Sequence, residues 1–158
     1  MKLRNMTSLY LRYKNELLLL YRQGSRVVNN LYIGSAGGHF EPEELNNPTG
    51  CVLRELEEEL GLDSSQINNL QWRYLSIYFT GGELRQNYYY FADLPDKTLI
   101  TESKEGTLHW MDIKDLEKLP MPRTSELVIR HYTNEGQYSN NMYGVLVTDT
   151  NATFQPLS

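Results

Sequence analysis

The sequence contains little cysteine, since Cys51 is the single one among 158 residues. A lone cysteine excludes an intrachain disulfide and a cysteine-rich zinc cluster. It is typical of proteins from a reducing compartment, and we therefore expect a cytoplasmic protein.

Long hydrophobic runs are also absent. Arg12, Lys14, Asn15 and Glu16 interrupt the stretch that leads to the leucines at 17–20. A secretory signal needs an apolar core of roughly 7 to 15 residues, and a membrane span needs about 20. The sequence therefore predicts a soluble protein without a membrane partner.

Positive charge is in deficit, with 15 Lys and Arg against 20 Asp and Glu and a net charge of −5. Such a surface does not attract duplex nucleic acid, so polymeric nucleic acid is not an expected partner. The 40% share of hydrophobic residues is typical of globular proteins. The length suits one domain over residues 1–158.

Strand and helix patterns alternate along the chain, which predicts an α+β fold. Turn signals at Lys14, Asn15, Gly81 and Gly82 predict two hairpins. A polar loop is expected over 23–30, and the small residues at 34–38 permit close approach of a ligand. The predicted strands cover 8–13, 16–22, 31–33, 71–79, 84–92, 107–113 and 142–148 as the last, and the predicted helical segments cover 48–60, 112–119 and 125–134.

The helix predicted over 48–60 carries an acidic stripe. At 100° per residue, Glu58 and Glu59 fall within about 60° of Glu55, whereas Glu57 falls on the far side. Like charges at this spacing destabilise a helix unless a cation compensates them. All-oxygen ligands favour Mg²⁺ or Mn²⁺. A solvated acidic helix face would show the same spacing, so spacing alone leaves both interpretations open.

Two segments together resemble the Nudix box, which reads Gly, five residues, Glu, seven residues, Arg-Glu-U-x-Glu-Glu-x-Gly-U, where U is bulky and aliphatic. Residues 37–44 read GGHFEPEE and residues 54–62 read RELEEELGL. Nine residues instead of seven separate Glu44 from Arg54. Pro48, which opens the helix, keeps its position six residues before Arg54, so we place the two extra residues in the loop at 45–46.

This resemblance implies a Nudix hydrolase with an α/β/α sandwich around a mixed central sheet. It implies that Mg²⁺, with Mn²⁺ as a substitute, assists the cleavage of nucleoside diphosphates linked to another group. Gly38, Glu55, Glu58 and Glu59 match the metal-binding positions, and Arg54 matches the arginine that orients a carboxylate. The carry-over of Glu44 depends on the loop insertion.

Hydrolysis also needs a general base for the attacking water. Glu59 is one candidate, and the loop before the 107–113 strand supplies Glu102 and Glu105. We favour Glu105, because the strand that follows it resembles the segment after a catalytic loop glutamate in MutT-like members of the family. Solvated loop charges are the alternative for both loop residues.

The sequence indicates the substrate-binding residues less specifically than the metal-binding ones. Tyr88 and Tyr90 share one face of a predicted strand and could stack on a base, although strand aromatics are mostly core residues. The other predicted substrate-binding residues are Gly37, His39, Arg85, Asn87 and Asn141.

The chain looks most like the MutT-like branch, which implies conversion of a nucleoside triphosphate, such as 8-oxo-dGTP, to a monophosphate and pyrophosphate. Tyr78, sixteen residues past Leu62, resembles the tyrosine of diadenosine polyphosphate hydrolases. Two alternatives therefore stay open: a hydrolase of diadenosine polyphosphates or of other nucleoside diphosphate derivatives, and a Nudix-like module that binds a nucleotide without hydrolysing it. Nudix enzymes often form dimers, so a homodimer is an expected assembly.

Overall fold

The computed structural model describes residues 1–24 and 29–158. Within them the chain forms nine strands and two α-helices. The predicted polar loop falls in part on 25–28, which lie outside the described residues. The strands are β1 (Lys2–Tyr13), β2 (Glu16–Arg22), β3 (Leu31–Gly34), β4 (Ala36–His39), β5 (Asn68–Thr80), β6 (Glu83–Asp93), β7 (Thr107–Asp112), β8 (Tyr143–Val147) and β9 (Ala152–Pro156), and the helices are α1 (Pro48–Leu60) and α2 (Arg123–Asn134).

All nine strands belong to one mixed sheet of order β3-β2-β1-β6-β5-β8-β9. Strand β4 pairs with β1 beside β2, and β7 pairs with β2. The β1–β6 and β5–β8 pairs are parallel and the others are antiparallel. The expected α+β class and mixed central sheet are confirmed.

Each face of the sheet is covered by one helix, because the strand residues alternate between two apolar clusters. Leu9 and Leu11 of β1 pack with Val52 and Leu56 of α1. Tyr10, between them in sequence, lies in the cluster on the α2 side. The two layers of core produce the α/β/α sandwich.

Helix α1 begins and ends where the sequence predicted. The Asn47 side chain accepts a hydrogen bond from the Gly50 amide, Pro48 occupies the first turn, and Gly61 adopts φ 69° after the last residue. Each feature satisfies or removes a free backbone group at the helix end. These local signals fix the register of the acidic stripe.

Two expectations about strands need correction. The segment 142–148 is not the last strand, because β9 follows it and pairs antiparallel with β8. Ala36–His39, which no predicted strand covers, forms β4 and pairs antiparallel with β1. Glycine is depleted in strands, so composition gave no sign of this strand. No helix among the described residues is long and apolar enough to cross a membrane.

Candidate active site

The glycines of β4 allow the backbone to approach two neighbours closely. A Cβ atom on Gly38 would lie 2.4 Å from Glu55 Oε1, and a Cβ atom on Gly37 would lie 2.2 Å from the Thr7 carbonyl oxygen. Gly37 also adopts φ 153°, which side chains rarely permit. The carboxylate of Glu55 can therefore rest directly against the β4 backbone.

Arg54 gathers three carboxylates around its guanidinium. It donates to both oxygens of Glu44 at 2.8 and 3.0 Å, to Glu55 at 3.0 Å and to Glu58 at 3.1 Å. A further bond, from Nη2 to the His39 carbonyl at 3.1 Å, ties it to the end of β4. The planar guanidinium suits this role because its donors match carboxylate geometry.

The two-residue insertion does not displace Glu44 from this network. Its Oε1 also accepts a hydrogen bond from the Glu41 amide at 2.8 Å, which folds the loop back onto itself. The hydrogen bonds from Arg54 lower the pKa of Glu44 to about 2. The sequence left this residue uncertain, and the proline that opens α1 was the signal that located it.

Glu59 lies deeper than a solvated stripe would allow. Its Oε2 accepts a hydrogen bond from the Gly37 amide at 3.0 Å. Burial, followed by the charges of Glu55 and Glu105, raises its pKa to about 7. Burial also raises the pKa of Glu55. The three carboxylates therefore differ in exposure: Glu58 is exposed, whereas Glu55 and Glu59 are half-buried.

No three metal-binding side chains are gathered into a formed metal site within residues 1–24 and 29–158. Arg54 draws Glu55 and Glu58 to itself, while the Gly37 amide holds Glu59. The donor chemistry nevertheless fits a hard dication, because three side chains on one side of α1 offer carboxylate oxygens.

The loop before β7 brings Glu105 to the same region. Its carboxylate accepts a hydrogen bond from Arg22 Nη2 at 2.9 Å, and its charge acts on Glu59. Gly106 permits the docking, since a Cβ atom there would lie 2.3 Å from the Tyr21 carbonyl oxygen. Glu102 is exposed and makes no hydrogen bond among the described residues. Of the two loop candidates, Glu105 is the one held near the box.

His39 faces a basic cavity of about 400 Å³ beside the end of β4. Lys2, Arg4 and Leu45 also line it, and Arg4 Nη2 lies 3.0 Å from His39 Nε2. Burial, then the charges of Arg4 and Lys2, lowers the pKa of His39. The sequence reasoning did not single out Lys2 and Arg4, because their place beside the box depends on the pairing of β1 with β4.

The predicted substrate-binding residues do not form one group. Tyr88 packs against Phe40 and Trp72 and stays partly exposed, whereas Tyr90 is 2% exposed and bonds Thr49. Arg85 and Asn87 lie on the opposite face and bond Glu83 and Ser8. Asn141 precedes β8, four strand spacings of about 4.8 Å from β4, and its carbonyl accepts a bond from Arg73.

Cys51 packs beneath the network and is fully buried, with its Sγ 3.5 Å from Thr7 Oγ1. Burial raises the pKa of its thiol to about 11. Because a hard dication does not need a thiol ligand, we expect Cys51→Ala to retain metal-dependent hydrolysis. The variant should lose about 1 kcal/mol of stability through the small cavity. Loss of turnover in a folded variant, measured by product release and circular dichroism, would contradict this assignment.

Comparison with known proteins places the fold. The model of the NUDIX domain family matches residues 2–132. The search of curated proteins found no match. A MutT protein of Bacillus halodurans matches over 98% of this chain and 95% of its own, at 19% identity and TM-score 0.69. The MutT protein of Methanosarcina mazei Go1 matches over 85% of this chain and 95% of its own, at 17% identity and TM-score 0.68. The Ap4A hydrolase of C. elegans matches over 83% of this chain and 96% of its own, at 18% identity and TM-score 0.59.

Proposed function

The chain belongs to the NUDIX family of hydrolases that act on phosphoric anhydrides, and on this basis we propose that it cleaves nucleoside triphosphates with Mg²⁺. The products are a nucleoside monophosphate and pyrophosphate. The observation that carries the proposal is that Glu55 and Glu59 lie against Gly38 and Gly37 of β4, with Glu58 on the same side of α1. Arg54 bonds Glu55 and Glu58, and the Gly37 amide bonds Glu59.

Glu55, Glu58, Glu59 and the Gly38 carbonyl would hold the dication. When bound, Mg²⁺ would neutralise pyrophosphate charge and polarise the phosphorus. The chain's own part is to keep the carboxylates aligned. Arg54 does this from one side, through its bonds to Glu55 and Glu58.

The phosphate chain is expected in the basic cavity beside the box. Lys2 and Arg4 line it and share one ion-pair partner, Glu83, so positive charge exceeds negative charge there, and His39 supplies a ring nitrogen. Tyr88 lies near this cavity through its contact with Phe40 and offers a partly exposed ring for a base. Stacking of this kind contributes roughly 1 to 3 kcal/mol per base.

The base that accepts the proton from the attacking water is Glu105 in this proposal. We expect Glu105→Gln to lower kcat about a hundredfold, because an amide cannot accept that proton. Metal binding, measured by Mn²⁺ titration, should be unchanged. Glu102→Gln in the same exposed loop is the matched control and should keep full activity. If Glu102→Gln lost activity and Glu105→Gln did not, the base would be reassigned.

A substrate panel tests the proposed function. Purified protein with Mg²⁺ is incubated with 8-oxo-dGTP, the four dNTPs, diadenosine polyphosphates and ADP-ribose, and the products are separated. We expect monophosphate and pyrophosphate from a triphosphate. Cleavage of diadenosine polyphosphates alone would favour the second candidate, which the likeness to the C. elegans Ap4A hydrolase supports. Binding without any product would contradict an enzyme.

Two further expectations accompany this function. The lone buried Cys51 favours a cytoplasmic location, and a homodimer is the expected assembly. Light scattering of the purified protein checks the second.

A further inference from the structure

A second cavity, of about 260 Å³, opens at the other end of the sheet. It is lined by Arg12 at the end of β1, Asp93 at the end of β6, Arg73 of β5 and the amide side chains of Asn69, Gln71 and Gln137. Arg12 lies five residues beyond Thr7, which pairs with Gly38, so the cavity is about 17 Å along the strand from the box.

Arg73 places a buried positive charge in this cavity. The residue is 5% exposed, and its guanidinium donates to the carbonyls of Asn141, Gly136 and Ser139 through Nε and Nη2. These bonds hold the turn between α2 and β8. The third nitrogen, Nη1, makes no hydrogen bond among residues 1–24 and 29–158. Nη1 is therefore the guanidinium nitrogen of Arg73 that can bind a ligand, while Nε and Nη2 hold the turn.

Arg12 supplies a second donor. Its Nε donates to the Lys14 carbonyl at 2.8 Å and its Nη1 donates to the Tyr132 hydroxyl at 2.8 Å. Its Nη2 has no partner within the part of the chain that the structure describes. Both arginines are thus held in place by two or more bonds before any ligand arrives.

Charge in the cavity is not balanced. Neither Arg12 nor Arg73 has a carboxylate within 4.0 Å among the described residues, and Asp93 is the one acidic side chain on the wall. Two guanidinium charges against one carboxylate leave a net charge of +1. Arg73 is the buried one of the two arginines, and because a buried charge without a counter-charge is costly, an anion would compensate it.

We propose that this cavity binds a small organic carboxylate. The net charge of +1 matches a single negative charge, and guanidinium nitrogens pair well with carboxylate oxygens. The volume lies below the 300 to 1,000 Å³ of pockets for drug-sized ligands, which favours a small ligand over a whole nucleotide. The amide side chains on the wall offer hydrogen bonds to further polar groups of the ligand. This site is independent of the proposed hydrolysis.

NMR of protein labelled at the arginine side chains tests the proposal. Lactate and acetate are titrated, with acetamide as the neutral isostere of acetate and inorganic phosphate as the other anion. We expect saturable shifts of the Arg73 and Arg12 signals with the carboxylates and none with acetamide. Absence of saturable shifts with both carboxylates, equal shifts with acetamide, or binding of phosphate alone would overturn the proposal.

Two variants are expected to change the affinity for lactate in opposite directions. Arg12→Gln, at a partly exposed position, should weaken lactate binding about tenfold through the lost charged hydrogen bond. Asp93→Asn should strengthen it about threefold, because the opposing charge is removed. Arg130→Gln on α2, whose partner is Glu126, is the matched control and should leave binding unchanged. A change of lactate affinity in the same direction in both cavity variants would overturn the proposed role of charge.

Discussion

Replacing Glu58 by glutamine is expected to lower metal-dependent hydrolysis about 1,000-fold while the fold stays intact. A metal that polarises phosphate contributes several kcal/mol to the transition state, and each 1.36 kcal/mol is tenfold in rate. Glu58 is an exposed side chain that accepts a hydrogen bond from Arg54, and the glutamine amide oxygen can accept the same bond, so the fold should tolerate the change. Initial rates at saturating Mg²⁺ and a thermal melt measure both parts.

The same helix supplies the control. Glu57 is exposed and lies on the opposite side of α1, and Glu57→Gln should therefore keep wild-type rates. Equal losses in both variants would point to a general effect of helix charge, and wild-type turnover in Glu58→Gln would place the metal elsewhere.

Arg54→Ala is expected to lower the free energy of unfolding by about 3 kcal/mol, at the lower end of the range for breaking a buried ion pair. The Glu44 side chain is 10% exposed, so removal of the guanidinium leaves its charge enclosed without a partner. Glu55 loses its nearest cation as well. Urea denaturation at neutral pH measures the loss.

Arg130→Ala is the matched control, since Arg130 forms an i,i+4 pair with Glu126 at exposed positions. It should change stability by less than about 0.5 kcal/mol.

The difference in unfolding free energy between wild type and Arg54→Ala should also narrow as the pH falls below 4.5. The reason is that the Glu44 carboxyl, whose pKa is lowered to about 2 in the folded protein, loses its contribution to stability when it is protonated. A gap that stays constant down to pH 3 would contradict the Glu44–Arg54 account.

Local signals predicted the part of the site that lies on one element. Asn47, Pro48 and Gly61 fixed the ends of α1, and helical geometry then placed Glu55, Glu58 and Glu59 on one side. The alternation of strand and helix patterns predicted the α+β class, and the resemblance to the Nudix family implied the sandwich. These inferences needed no knowledge of tertiary contacts.

Contacts between distant segments could not be predicted in this way. The depth of Glu59 depends on the Gly37 amide, which β1 pairing brings to the helix edge. The separation of Asn141 from the box depends on strand order. Alternation correctly put Tyr88 and Tyr90 on one face, but burial under α1 distinguishes them. Strand β9 was missed because its pairing with β8 is set by a short turn near its start.

The central claim is that the carboxylates of α1 hold a dication against the glycines of β4. It is tested most directly by a crystal structure with Mn²⁺ and a non-hydrolysable nucleoside triphosphate analogue, with anomalous scattering used to locate the metal. We expect an anomalous peak bounded by Glu55, Glu58 and Glu59, with phosphate oxygens beside it. An analogue bound elsewhere, with no metal at this edge of the sheet, would contradict the account.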